Sequence, residues 1–442
     1  MKNIRIWKKN LFAAVVVAMA GVVSAGVTCR VEPDYGVRFA DKPGEAYVKV
    51  SLAADKVASK NRPQVNLAIV LDRSGSMHGD RIVKAREAAC EAIRRLDARD
   101  IVSVVAYDNL AEVVIAAQPA VEKEAMIAKI RAIEAGGSTA LFAGVAAGAV
   151  ELKKYRAKCE INRVLLLSDG QANVGPSSAE ELGRYGALLM KDGVAVSTIG
   201  LGMGYNEDLM TRLAQKSDGN SYFVENNDDL PRVFARELGD VLAVAATRVS
   251  LKVRFTAGFT PVQLVGRDGR IADGVASIDL NQLYGGQEKY VIVKCDAAPG
   301  KAGTKLTIAQ AQVSYVDPKD GGDRSATASG AVSFSNDPTV VTASVNKSVV
   351  RERVRNENAL RTEEAIRLAD RGEFEKARAL NMRNSSAAQD AQRIIGIDAE
   401  LQQEATTQAV WSEQFNRRSF DSKARKGMKT KGFSTLNQQR LE

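Results

Sequence analysis

Three short loops carry side-chain oxygens at positions where a strand of a sheet would end or a helix would begin. They are Asp72-Arg73-Ser74-Gly75-Ser76 after the apolar run 67–71, Gly136-Gly137-Ser138-Thr139, and Ser168-Asp169-Gly170 after the apolar run 164–167. Carboxylates and hydroxyls without thiolate or imidazole suit a hard divalent cation such as Mg²⁺, with Mn²⁺ and Ca²⁺ as alternatives. The predicted metal ligands are Asp72, Ser74, Ser76, Thr139 and Asp169.

The spacing within the first loop has a physical reason. Asp72, Ser74 and Ser76 alternate, so a tight turn can direct three oxygens at one point, and Gly75 permits close backbone approach. A helix starting after Gly79 would bring its positive N-terminus near the site and favour an anionic ligand there. An isolated Asp-x-Ser-x-Ser string is weak support, and without the other loops helix capping would be the preferred explanation. Three such loops in order along alternating strands and helices are much stronger support for a metal site.

The elements that must position these loops alternate along residues 63–246. The continuous apolar run at 67–71 is typical of a strand buried on both faces, and further strands are predicted at 101–107, 164–167 and 194–201. Segments with helical spacing lie between them, and a short edge strand is expected at 111–116. This pattern predicts an α/β domain with a doubly wound, mostly parallel, six-stranded sheet. In such sheets ligands bind outside the carboxyl ends of the strands, where the three loops fall.

A second, all-β module is predicted for residues 247–345. Apolar and polar residues alternate there in several runs, and Asp-Gly and Gly-Gly turns separate the runs, which favours a sandwich. The segment 26–62 contains a similar alternating run at 46–52. We hypothesise that this strand joins the β module, which would make the α/β domain an insertion.

The C-terminal region is predicted to be a charged helical hairpin over 346–410, followed by a disordered basic tail over 411–442. From residue 417 onward the chain has eight basic and two acidic residues, a net charge of +6. The tail is expected either to solubilise the protein or to bind an anionic envelope surface.

The first 25 residues have the pattern of a secretory signal peptide: four basic residues, an apolar stretch too short to span a bilayer, and small residues before position 26. An uncleaved anchor and a lipid attachment are the alternatives. Because no other stretch is long and apolar enough, no transmembrane helix is expected after cleavage. We therefore expect an extracytoplasmic protein, periplasmic or secreted and in one alternative associated with the cell surface. Nucleic acid is not an expected partner of an exported chain.

The four cysteines would then meet an oxidising compartment. The pairs Cys90–Cys159 and Cys29–Cys295 are favoured because each lies within one predicted domain, and free buried thiols are the alternative.

The three loops resemble the metal-ion-dependent adhesion site of the von Willebrand factor type A domain. The resemblance covers about residues 65–245 and is similar to bacterial exported members and to the inter-alpha-trypsin inhibitor heavy chains, with Asp-Gly-Gln-Ala-Asn at 169–173. It implies a sheet order of 3-2-1-4-5-6 with an antiparallel edge strand. It also implies that Ser74 and Ser76 coordinate the metal directly, that Thr139 does so when ligand is bound, and that Asp72 and Asp169 act mostly through water.

The resemblance implies a protein-binding module whose partner contributes an exposed Asp or Glu to the metal. The sequence shows no nucleophile–base pair and no pair of catalytic carboxylates, so we expect no enzymatic activity. The alternative is a structural or assembly factor of the cell envelope in which the metal only stabilises the fold.

Overall fold

The computed structural model describes residues 26–57, 62–169 and 171–439. Three strands precede the α/β region: β1 (Val27–Pro33), β2 (Val37–Phe39) and β3 (Gly44–Ala54). The predicted signal peptide at 1–25 lies outside the described residues. Within the described residues, no helix is both long and apolar enough to cross a membrane.

A six-stranded sheet forms the centre of the α/β domain. Its elements are, in chain order, β4 (Val65–Asp72), α1 (Asp80–Arg95), β5 (Ile101–Tyr107), β6 (Ala111–Pro119), α2 (Lys123–Arg131), α3 (Leu141–Lys153), β7 (Ile161–Ser168), α4 (Ala179–Lys191), β8 (Val194–Leu201), α5 (Glu207–Ser217), β9 (Ser221–Val224) and α6 (Leu230–Leu242). The strand order is β6-β5-β4-β7-β8-β9, and among these strands β6 alone is antiparallel to its neighbour. This confirms the predicted fold class and, counted within the domain, the order 3-2-1-4-5-6.

Helices cover both faces of this sheet. The residues of β4, β5, β7 and β8 are buried throughout, including the few polar ones among them, as expected for central strands covered on both faces. Helices α1, α2 and α6 pack on one face and α3, α4 and α5 on the other, each face with its own apolar core. The carboxyl ends of β4 and β7 therefore meet at one edge, between the two helical layers.

The β module is a sandwich of two sheets. Its remaining strands are β10 (Val244–Phe255), β11 (Phe259–Val265), β12 (Arg270–Ala272), β13 (Val275–Tyr284), β14 (Glu288–Ala297), β15 (Lys305–Asp317) and β16 (Gly322–Ser335). The sheet orders are β1-β3-β14-β11 and β12-β13-β10-β15-β16-β2. Strand β3 pairs with β14 along its length, from Ala53 opposite Glu288 to Gly44 opposite Ala297. The α/β domain is thus inserted between strands of the sandwich, as we hypothesised.

The C-terminal region differs from its prediction. It contains α7 (Pro338–Ala343), α8 (Lys347–Asp370), α9 (Phe374–Ile395), α10 (Ala399–Gln414) and α11 (Ser422–Asn437). The predicted hairpin over 346–410 is a bundle of three helices, because α10 packs along α9. The prediction of a disordered tail over 411–442 is wrong for 411–439: Met428, Phe433 and Leu436 are buried in α11, and this apolar face orders the segment. Residues 440–442 lie outside the described part of the chain.

All four cysteines are free thiols, so the favoured disulfide pairs are not formed and the alternative holds. Cys29 and Cys295 lie on strands that flank β3 on opposite sides, opposite Leu52 and Ala46 respectively. Six residues of an extended strand separate these positions, which is about 20 Å and far beyond the reach of an S–S bond.

Candidate metal centre

Asp72 is the last residue of β4 and is completely buried. Its Oδ1 accepts a hydrogen bond from the Ser74 backbone N–H at 2.8 Å, and its Oδ2 accepts from the Ser168 hydroxyl at 2.7 Å and the Tyr107 hydroxyl at 3.3 Å. Burial raises the pKa of Asp72, with repulsion from Asp169 adding to the rise, and the hydrogen bonds from Ser74 and Ser168 oppose it only in part. A cation beside this carboxylate would offset the cost of burying its charge.

The two serines and Asp169 form a continuous chain of contacts. The Ser74 and Ser76 hydroxyl oxygens are 3.1 Å apart, and the Ser76 hydroxyl donates to Asp169 Oδ1 at 2.7 Å. Ser74 and Asp169 are buried, whereas Ser76 is exposed. The predicted ligands of the first and third loops therefore lie together at the carboxyl edge of the sheet, as parallel strand order requires.

The second loop is bound to the first by its backbone. Gly75 N–H donates to the Gly137 carbonyl at 2.9 Å, and Gly136 N–H donates to the Arg73 carbonyl at 2.7 Å. Thr139, which is 4% exposed, is fixed from the other side by Asn173: Thr139 N–H donates to Asn173 Oδ1 at 2.8 Å, and Asn173 N–H donates back to the Thr139 carbonyl at 3.2 Å. These bonds join the second loop to the first at Gly136 and Gly137, and they join Thr139 to the third loop through Asn173.

This donor set fits a small divalent cation. Octahedral Mg²⁺ has oxygen ligands at about 2.1 Å, which sets neighbouring ligands about 3.0 Å apart. The 3.1 Å between the Ser74 and Ser76 hydroxyl oxygens agrees with one such edge. Among the described residues no group of three or more His, Cys, Asp and Glu side chains is placed to hold a metal ion.

Four residues that support the site were not predicted as site residues. Ser168 and Tyr107 hold Asp72, and Asn173 holds Thr139. Arg81, near the start of α1, donates from Nη1 to Asp169 Oδ2 at 2.5 Å and to the Ser76 carbonyl at 3.1 Å. Ser168 and Asn173 belong to the third-loop motif, but Tyr107 and Arg81 meet the site only through the fold.

Three further residues or segments lie outside the predicted ligand set. His78 is exposed at the end of a 3-10 turn, Gly75–Met77, that follows Ser74. Cys90 is a buried thiol of the α1 core, and burial raises its pKa. The glycine-rich segment 200–204 forms the turn after β8, in which Gly202 has a φ of +63°. Gly170 lies outside the described residues.

Comparisons with known proteins match the α/β domain that carries these loops. A family model for the von Willebrand factor type A domain matches residues 66–236. An uncharacterized protein of Synechocystis is 26% identical over 311 residues, covering 67% of this chain and 70% of that protein. The uncharacterized protein YfbK of Escherichia coli is 27% identical over half of this chain and 39% of its own length. Human inter-alpha-trypsin inhibitor heavy chain H3 is 24% identical over 40% of this chain and 21% of its own length.

Solved structures share the architecture beyond the α/β domain. A structure described as von Willebrand factor type A from Catenulispora acidiphila superposes with a TM-score of 0.70 at 17% identity, covering 88% of this chain and 90% of its own. The ArnB paralog VWA2 from Sulfolobus acidocaldarius superposes with a TM-score of 0.62 at 18% identity, over 93% and 98% of the two chains. Identities this low show a common fold.

Proposed function

Residues 66–236 are a von Willebrand factor type A domain, and on that premise we propose that the protein is an exported, divalent-metal-dependent module that binds other proteins. The observation that carries the proposal is the contact chain from Asp72 through Ser74 and Ser76 to Asp169. It gathers hard oxygens, with the Ser74 and Ser76 hydroxyl oxygens 3.1 Å apart, on the edge of the sheet where α/β proteins bind ligands.

The ligand types suggest how such a site would recognise a partner. Ser74, Ser76 and Thr139 would hold the cation with neutral hydroxyls, while Asp72 and Asp169 would lie behind them and orient them. A bound Mg²⁺, Mn²⁺ or Ca²⁺ supplies a strongly electrophilic position when its inner ligands are uncharged. The exposed Ser76 marks the side from which an Asp or Glu carboxylate of the partner would approach.

The first prediction tests the metal. Ser74→Ala removes one hydroxyl from the ligand set, so we expect Mg²⁺ affinity of the full chain to fall at least about tenfold by isothermal titration calorimetry. Circular dichroism should remain that of the native protein, because Ser74 lies in a loop. Ser138→Ala is the matched control, since this neighbouring hydroxyl is outside the ligand set, and its Mg²⁺ affinity should remain unchanged.

The second arm of this experiment tests partner binding. Immobilised wild type and Ser74→Ala are compared for capture of proteins from envelope extract, in Mg²⁺ and in chelator. Capture that needs both Mg²⁺ and Ser74 supports the binding module. Capture unaffected by Ser74→Ala and by chelator would instead support the alternative, a structural or assembly factor of the envelope. Catalytic turnover of a substrate by the metal-free protein would contradict a non-enzymatic role.

A further inference from the structure

One cation of the chain itself already reaches the candidate metal site. The Arg81 guanidinium lies 2.5 Å from Asp169 Oδ2 and 3.1 Å from the Ser76 carbonyl, so it contacts two of the three loops that line the site. Its neighbour on the other side is Gly202, where an added Cβ would lie 3.1 Å from Arg81 Nη2. The guanidinium is therefore seated between the first loop, Asp169 and the turn after β8.

This contact leaves each oxygen of Asp169 with a partner. Oδ1 accepts from the Ser76 hydroxyl and Oδ2 from Arg81. The Asp169 side chain is fully buried, whereas 35% of the Arg81 side chain remains exposed. Arg81 thus neutralises a buried carboxylate while part of its side chain remains at the surface.

The charges of the site determine how much of the positive charge of a bound metal ion stays uncompensated. Asp72 and Asp169 carry two negative charges and Arg81 one positive charge, so the site offers a divalent ion a net charge of −1. With the ion bound, one positive charge is uncompensated, and a single carboxylate from outside would cancel it. Without Arg81, the two carboxylates alone would neutralise the ion, and an outside carboxylate would bring the site to −1.

We propose that Arg81 sets the partner requirement of this site: it weakens the hold on the divalent ion alone and strengthens the hold on an incoming carboxylate. The inference rests on the proposed function, because it assigns a specificity role at the same metal centre. Arg81 acts by position and charge, and its guanidinium would attract an incoming carboxylate that meets the metal.

The test compares Arg81→Gln, which removes the charge and keeps a hydrogen-bond donor, with Arg81→Lys, which keeps the charge. Mn²⁺ binding to the full chain is followed by electron paramagnetic resonance, with and without acetate as the carboxylate probe. We expect Arg81→Gln to bind Mn²⁺ about tenfold more tightly than wild type, because a like charge close to the ion has been removed. Acetate should increase the Mn²⁺ affinity of wild type and of Arg81→Lys, and have less effect on Arg81→Gln.

Arg95→Gln is the matched control for total charge. Arg95 is at the other end of α1, about 20 Å along the helix from Arg81, and is paired on the surface with Glu91. Its Mn²⁺ affinity should equal that of wild type. Equal or weaker Mn²⁺ binding by folded Arg81→Gln would overturn the inference, as would an undiminished effect of acetate. If wild type bound neither Mn²⁺ nor Mg²⁺, the proposed function itself would fail, and the two failures are therefore distinguishable.

Discussion

At the scale of single residues, the candidate site depends on side chains that fix its ligands. Tyr107, at the end of β5, is completely buried and donates to Asp72 Oδ2 and, at 3.3 Å, to the Leu167 carbonyl. Its ring packs against Gly144 of α3, where an added Cβ would lie 2.5 Å from ring carbon Cδ1. Tyr107 can occupy this position only because residue 144 is a glycine. Since Tyr107 bonds Asp72, the glycine also affects the position of Asp72.

The second prediction follows from this contact. Gly144→Ala should lower the free energy of unfolding by about 2 kcal/mol, because the added methyl overpacks a rigid buried ring. Mg²⁺ affinity should fall as well, since Tyr107 can no longer hold Asp72 in place. Urea denaturation and calorimetry measure the two effects.

Gly239→Ala is the control for this prediction. Gly239 is also helical, within α6, and an added Cβ would meet nothing within 4 Å. This variant should gain about 0.5–1 kcal/mol from the higher helix propensity of alanine, with unchanged Mg²⁺ affinity. A Gly144→Ala protein as stable as wild type would contradict the prediction, because it would show that the core rearranges around the added methyl group at no cost.

At the scale of elements, α11 connects the C-terminal bundle to the α/β domain. Lys426 is 3% exposed and pairs with Glu207 at the start of α5, and its ammonium lies 4.4 Å from the centre of the Tyr205 ring. Arg425 joins the same Glu207 and Asp208, and also Asp370 of α8. The basic side chains of α11 therefore bind the two carboxylates in the first turn of α5. Because the N-terminus of a helix carries a partial positive charge, it would repel these cations if the carboxylates were absent.

The end of α11 also covers an open sheet edge. Gln439 receives a hydrogen bond from Ser221 N–H at 3.0 Å and donates to the Ser221 carbonyl at 3.1 Å, so its amide acts like a neighbouring strand for β9. An exposed strand edge invites pairing with other chains, and this cover removes that risk at Ser221. The expected attraction of the tail to an anionic envelope surface stays a prediction, and it must now come from the exposed Arg417 and Arg418 more than from the paired residues of α11.

The third prediction concerns this docking. Lys426→Ala leaves Glu207 buried with one cation fewer, so we expect a loss of about 3 kcal/mol in the docking of α11. Hydrogen exchange should become faster in α11 and at Ser221, and proteases should cut between α10 and α11. Lys423→Ala is the control: its pair with Glu225 is exposed, with 64% and 53% of the side chains accessible, and should be worth less than about 0.5 kcal/mol. Equal protection of α11 in the two variants would contradict the buried pair as its anchor.

At the scale of the whole molecule, Asp218 joins the α/β domain to the sandwich. It ends α5 in the left-handed conformation, and its carboxylate accepts from the Asn281 backbone N–H at 2.8 Å and from Lys289 Nζ at 3.2 Å. Burial alone would raise the pKa of Asp218, but Lys289 and Arg267 outweigh it and hold the pKa below its usual value. Arg267 also donates to Gln438 Oε1 at 2.7 Å, so this cluster contacts the α/β domain, the sandwich and the segment after α11.

The fourth prediction uses the sign of this shift. A carboxyl with a lower pKa in the folded state adds stability that is full above the unfolded value of about 3.9 and is lost as the pH falls through the folded value. Asp218→Asn should cost about 3 kcal/mol at pH 7, because Lys289 and Arg267 lose their counter-charge. The variant should also lose less stability than wild type between about pH 4 and pH 2, as measured by urea denaturation at each pH.

Asp192→Asn is the comparison for this prediction. Asp192 ends α4 and makes exposed pairs with Arg156 and Lys153. Its removal should change stability by less than about 0.5 kcal/mol. A pH profile of Asp218→Asn that parallels the wild type below pH 4 would show that other carboxyls govern the acid transition.

Local patterns of apolar and polar residues can be predicted from the sequence, whereas contacts between distant side chains cannot. Apolar runs such as that of β8 are visible as strands, and Asp72, Ser74 and Asp169 carry oxygens directly after such runs. The contacts of Arg81 and the docking of α11 could not be predicted from the sequence, because both depend on side chains that the fold brings together from distant positions. The basic composition of α11 also conceals its apolar face, in which only three large residues serve as the anchor.

The insertion of the α/β domain has a consequence for how the chain can be built. On one side, β3 pairs with β14, and Ala53 lies opposite Glu288. The first sheet therefore cannot be completed until Glu288 has been synthesised. The α/β domain between them is continuous, from Val65 to Leu242, and needs no earlier segment to complete its own sheet. A chain that ends before Glu288 would therefore contain the whole central domain and a β1–β3 pair with one bare edge, which is open to pairing with other chains.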